Sequence, residues 1–152
     1  MKQKLKKIAG LSLMIVLGIM WAVSGWFGVT RDDPSVQLEA ALQQAIEQSR
    51  TIGFYKPFLT GVVLPNKAIF ASLVGWGELL IGISFLSGTL VRLSTWAGVF
   101  MLLNYGLMNG ALLQHLILVA LMLSVFLSSP SRIYGFDRMM HRKWPSQSFF
   151  KK

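Results

Sequence analysis

One acidic side chain, Glu78, stands inside an otherwise uncharged apolar run from Ala68 to Ser87. At the centre of a membrane span an acidic group costs about 2.5–3.5 kcal/mol on insertion scales, so such residues turn to the bundle interior and find a partner. A second uncharged stretch, Leu93 to Leu127, carries Asn104, Tyr105, Gln114 and His115. At about 1.5 Å rise per residue, Glu78 lies roughly 14 Å from its inner helix end, and Asn104 and His115 lie near 17 Å. The sequence therefore predicts one buried polar layer containing Glu78, Asn104, Tyr105 and His115, with Gln114 beside it. Two chemistries fit that set. The groups satisfy one another and hold the helices together. Alternatively, they accept protons and bond the carbonyls of a quinone headgroup, whose reduction consumes protons.

Other chemistries are excluded by residue type. The chain has no cysteine, so disulfides, thiolate metal sites and cysteine nucleophiles are absent. The second histidine, His141, belongs to the basic C-terminal tail, at the wrong depth to sandwich a haem with His115. No Ser/His/Asp arrangement, glycine-rich phosphate loop or pair of catalytic carboxylates occurs. No metal is expected. Asp32 and Asp33 are explained by helix capping.

The elements that must position the polar layer follow from hydropathy. The 152 residues are 53% apolar and 14% charged, against about 25% charged in soluble domains. About 20 apolar residues cross a membrane. The spans predicted are 8–29, 68–87, 93–108 and 111–127, the last two separated at the turn signal Asn109-Gly110. Unsplit, residues 93–127 would make a helix roughly 52 Å long, too long for one crossing. The first run also has the lysine-rich start and small residues (Ala22, Ser24, Gly25) of a cleaved signal peptide. At 22 residues it is longer than a usual signal core, and the intact mass of the protein decides the matter.

The net charge is +9, but the basic residues gather at the two ends, so nucleic acid is not an expected partner. With the N-terminus inside, eleven Lys and Arg residues fall on the inner side, Arg92 of the inner turn among them, and four on the outer side. That bias predicts both termini cytoplasmic. The fold class expected is all-α: one integral membrane four-helix bundle with a basic cytoplasmic tail at 128–152. Trp21, Trp26 and Trp76 are expected near the outer boundary as an aromatic belt.

The outer segment, 30–67, is predicted to contain an amphipathic helix. Asp33 and Pro34 supply an N-cap and first position, and Leu38, Leu42, Ala45 and Ile46 recur at helical spacing. The aromatic stretch Phe54 to Leu59 reads either as an interfacial anchor or as a lid over a site between the helices. Pro65-Asn66 gives a turn and an N-cap for the second span. Gly75, Gly77, Gly82, Gly98 and Gly106 favour close helix contact.

Several of these residues, in order, resemble the DoxX family of bacterial four-helix membrane proteins. The matching pieces are Val63-Leu64-Pro65-Asn66, Gly77-Glu78-Leu79-Leu80-Ile81-Gly82-Ile83, Gly88-Thr89-Leu90-Val91-Arg92-Leu93, Leu103-Asn104-Tyr105 and Tyr134-Gly135-Phe136-Asp137-Arg138. The likeness spans about residues 8–140. It departs from the family at Val91, where threonine commonly precedes the arginine, and in the short link at Asn109-Gly110. The resemblance implies Glu78 and Arg92 as family-typical polar positions and a place in the bacterial plasma membrane. It also implies a link to membrane redox chemistry with partner subunits, as in thiosulfate:quinone oxidoreductase, which makes a quinone the candidate cofactor. The other reading is a non-catalytic structural or assembly subunit of a larger membrane complex.

Overall fold

The computed structural model describes residues 2–48 and 50–128. Among them every regular element is helical: α1 Lys2–Thr30, α2 Pro34–Glu47, α3 Lys56–Phe58, α4 Lys67–Ser87, α5 Val91–Asn109 and α6 Leu112–Ser128. Short α3 runs directly into one wide π turn, Leu59–Val63. The described chain is thus all-α, as its hydropathy pattern predicts. Residues 8–30 of α1 and the whole of α4 are long and apolar enough to cross a membrane, and α6 is apolar but shorter, at 17 residues. The tail and its Tyr134–Arg138 motif lie outside the described residues.

Four long helices surround one core. α1 lies along α4, α5 along α6, and the remaining sides close through α1–α6 and α4–α5 contacts. The core is apolar, with Met14, Leu17, Trp21, Phe85, Leu102 and Met122 all buried. The α1–α4 contact is antiparallel and made backbone to backbone. A Cβ on Gly25 would stand 2.1 Å from the Leu79 nitrogen, and one on Gly82 would stand 2.3 Å from the Ala22 nitrogen. Only glycine permits that approach, as in small-residue membrane helix pairs.

Helix ends follow the local residues. Asp33 caps α2, its carboxylate accepting from the Ser35 and Val36 amides. Asn66 precedes α4 as expected, but its side-chain amide donates to the Val62 carbonyl at 2.9 Å and makes no cap bond. The α4–α5 turn is tighter than the sequence suggests, with Gly88 at φ 67° and Leu90 at φ 52°, so α5 begins at Val91, two residues early. Gly110 ends α5 at φ 64°, against the Arg50 carbonyl. The Ile52 amide donates to Leu107 O at 3.1 Å and the Thr51 hydroxyl to Met108 O at 2.9 Å. The loop after α2 thereby satisfies carbonyls that every helix C-terminus leaves unpaired.

α2 packs across α4 and touches α5. Its Leu42 meets Leu59 and Val63 in a second, smaller apolar cluster. One tryptophan departs from the belt reading. Trp26 and Trp76 are exposed, but Trp21 is only 3% exposed and belongs to the core. The reason is register: Met14, Leu17 and Trp21 follow one another at three and four residues, a single inward stripe.

Candidate functional site

The close α1–α4 contact sets the chemistry. Because Gly25 lets the helices touch, the neighbouring Ser24 reaches Glu78, and its hydroxyl donates to Oε2 at 2.6 Å. From the opposite side, the Tyr105 phenol on α5 donates to Oε1 at 2.6 Å. Glu78 is buried, with 8% of its surface exposed. Each of its oxygens accepts one short bond of the length seen for hydroxyls donating to charged carboxylates. Behind Tyr105 stands His115 of α6, ring centroids 6.4 Å apart and edge to face. The His115 Nδ1 lies 2.8 Å from the Ala111 carbonyl. A carbonyl only accepts, so that nitrogen carries the hydrogen.

Glu78, Tyr105 and His115 therefore meet, as residues from three helices. Asn104 does not join them. Adjacent helical residues point about 100° apart at 3.6 residues per turn, so Asn104 bonds partners other than Glu78, although it borders the same cleft as Tyr105. Its Nδ2 donates to Phe100 O at 2.7 Å, and its Oδ1 accepts from the Tyr55 phenol. Gln114 is exposed and takes no part. Arg92 lies in the first turn of α5, its guanidinium over the Phe126 ring at 5.5 Å.

Two cavities flank the Glu78–Tyr105 bond. The larger, a cleft of about 260 Å³ between α2, the α3–π segment, α4 and α5, has walls that include Leu42, Phe58, Phe70, Phe100 and Met101. Its polar points are Tyr55, Asn104 and Tyr105. The smaller, about 200 Å³, has Glu78 on its wall and Arg31, Pro34 and Gln37 among its other residues. Leu38 and Val74 line both. The aromatic segment divides between its two readings. Phe54 is 74% exposed, whereas Tyr55, Phe58 and Leu59 line the cleft. Burial pushes the Tyr55 phenol above its ordinary value, so at neutral pH it is a donor.

Ser24 and Tyr55 were not visible as site residues in the sequence. A serine inside an apolar run carries no signal until the glycine contact of α1 with α4 is known. Tyr55 belongs to a stretch that reads as an anchor or as a lid, and nothing in that stretch marks which residue enters a site. No group of three or more His, Asp or Glu residues suited to a metal occurs among the described residues. A quinone ring fits the cleft in kind: its lining is aromatic, aliphatic and methionine side chains, with tyrosine phenols and an asparagine amide as the polar groups. No family model, no curated protein and no solved structure matches this chain.

Proposed function

We propose that this chain is a DoxX-like, four-helix protein of the bacterial plasma membrane, with both termini inside, that holds a quinone headgroup for a redox partner subunit. In this reading α1, α4, α5 and α6 are the spans and α2 lies at the outer boundary. Large apolar side chains on the bundle's outside support it, among them Ile19, Trp76, Leu80, Leu113 and Ile117, all more than half exposed. Isolated apolar residues are common on soluble surfaces, but this many together suit a lipid boundary. The lysine and arginine bias supports the orientation.

The observation that carries the ligand reading is the cleft itself, apolar throughout except at Tyr55, Asn104 and Tyr105. Apolar walls with a few convergent polar groups are the usual anatomy of a small-molecule site. Asn104 has a second amide N–H besides the one bonded to Phe100, and so a donor that a ligand carbonyl in the cleft could accept from. The partner subunit supplies the electrons.

Titration of the detergent-purified chain with ubiquinone or menaquinone, read by tryptophan fluorescence, tests this. Saturable quenching is expected, weakened in Tyr55→Phe and Glu78→Gln. Fluorescence unchanged by either quinone, with Glu78→Gln behaving like the wild type, overturns it. The non-catalytic reading draws on a different fact: both Glu78 oxygens already have partners within the chain. Under it, native electrophoresis after mild-detergent extraction shows the chain in a large complex while quinone leaves its fluorescence untouched.

A further inference from the structure

Glu78 and Tyr105 are bonded to each other yet line different cavities. Tyr105 belongs to the cleft and Glu78 to the smaller pocket. That pocket is bounded by Gly28 and Arg31 at the end of α1, by Pro34 and Gln37 at the start of α2, and by the first half of α4. Arg31 donates to the Gln37 side chain there, and both residues are exposed. The pocket thus leads from a polar, exposed rim down to a buried carboxylate. Gly28 and Gly75 line it at the point where α1 and α4 touch: a Cβ on Gly28 would lie 3.1 Å from Gly75 Cα.

We propose that Glu78 is a proton-exchange site, reached by water through the Arg31–Gln37 vestibule and coupled through the Tyr105 phenol to whatever occupies the cleft. The coupling half rests on the quinone-class reading above, and the vestibule half does not. The step moves protons only. A hydroxyl of the cleft ligand gives its proton to the Tyr105 oxygen as the phenol's own proton passes along the 2.6 Å bond to Glu78 Oε1. Glu78 then releases that proton to water in the vestibule, and one proton has left the cleft. The same steps run in reverse. Ser24 holds the other oxygen, Oε2, at 2.6 Å, which fixes Oε1 toward Tyr105.

The charged and titratable surroundings of Glu78 are few. α1 contributes Arg31 at the rim, α5 contributes Tyr105, and α6 contributes His115 behind it. α2 presents Gln37 and Leu38, while its Glu39 is engaged by Lys67 of α4. Among the described residues, no second carboxylate lines that pocket to share the proton.

The absence of cysteine makes a clean test possible in nanodiscs. Glu78 is labelled with a water-soluble carbodiimide and glycinamide, and separately with dicyclohexylcarbodiimide, which enters from lipid. Both are read by peptide mass spectrometry, with Glu78→Gln as the blank. The vestibule is then plugged by Gln37→Cys carrying a charged methanethiosulfonate, with Thr60→Cys treated alike as control. Expected is loss of labelling by the water-soluble reagent on plugging Gln37→Cys only, with dicyclohexylcarbodiimide labelling retained. No labelling of unplugged protein by the water-soluble reagent, or labelling indifferent to the plug, overturns the vestibule.

The coupling is read with decylubiquinone. A phenol turned toward the ligand no longer covers Glu78 Oε1, which leaves that oxygen open to the carbodiimide. Bound decylubiquinone is therefore expected to speed dicyclohexylcarbodiimide labelling in the wild type and to leave Tyr105→Phe unaffected. An unchanged rate with decylubiquinone bound overturns the relay alone. Failure of decylubiquinone to bind overturns the cleft reading, and the coupling with it, while the vestibule stands on the Gln37→Cys result.

Discussion

Replacing Gly25 with alanine adds one methyl group where two helix backbones touch. That methyl would lie 2.1 Å from the Leu79 nitrogen and 2.6 Å from its Cα. Non-bonded heavy atoms settle at about 3.5 Å, so α1 and α4 must part by about 1.4 Å. Overpacking of that kind costs about 1–3 kcal/mol. The parting also stretches the Ser24–Glu78 bond from 2.6 Å to about 4 Å, beyond hydrogen-bond range. Interhelical hydrogen bonds in membrane proteins contribute about 0.6–1.7 kcal/mol. Against this, alanine gains about 1 kcal/mol over glycine in helix propensity. The contact wins, and Gly25→Ala is expected to lose about 1–3 kcal/mol.

Gly77 provides the contrast. An added Cβ there meets only the Met101 thioether, at 3.4 Å and 3.6 Å, and methionine yields readily. Gly77→Ala should therefore be neutral or stabilising by up to about 1 kcal/mol. The assay is thermal or denaturant unfolding in mild detergent, followed by circular dichroism. Gly25→Ala as stable as Gly77→Ala, or more so, would refute the close α1–α4 contact on which the Ser24–Glu78 bond depends.

The other predictions concern polar groups. Tyr105→Phe removes one of two donors to a buried carboxylate, and a loss of about 1–3 kcal/mol is expected, read by the same unfolding assay. A double-mutant cycle with Ser24→Ala should show coupling, because both hydroxyls serve one carboxylate. The Asp33 carboxyl is held below its ordinary value, chiefly by the Ser35 hydroxyl and then by the Val36 amide. A lowered native value means that the capping contribution is full above the unfolded value, about 3.9, and is lost as pH falls through the native one. Amide protection factors over 34–47 should therefore fall at acid pH in the wild type, and Asp33→Ala should remove that pH dependence. The Lys67–Glu39 ion pair is about one third exposed on each side. Its removal by Glu39→Gln should change stability by about 0–1 kcal/mol, and by less at high salt.

How far the sequence reached depends on where the information lies. α1 and α4 were legible because each is one long uninterrupted apolar run. Asn109-Gly110 marked the α5–α6 turn because Gly110 takes the left-handed conformation that this dipeptide favours. Asp33-Pro34 marked α2 for an equally local reason. The α5 start was read two residues late because Leu90 adopts positive φ, which a bulky residue rarely does. Within the site, Glu78 was conspicuous as a lone charge, and its partner Tyr105 fell at a compatible depth. Depth alone could not separate Asn104 from Tyr105, which differ in angle about the helix and not in height. Ser24 and Tyr55 depend on which helices touch, and on how the segment after α2 folds back, and neither is written in any single run.

The central claim is that a quinone headgroup sits in the cleft between α2, α4 and α5. Photolysis of the nanodisc-embedded protein with an azido-quinone, followed by peptide mapping, tests it most directly. The account predicts label on Phe70, Met101 or Met108, removed by excess unlabelled quinone and reduced in Tyr55→Phe. Label confined to outer apolar positions such as Ile19 or Leu113, or indifferent to competing quinone, would contradict it.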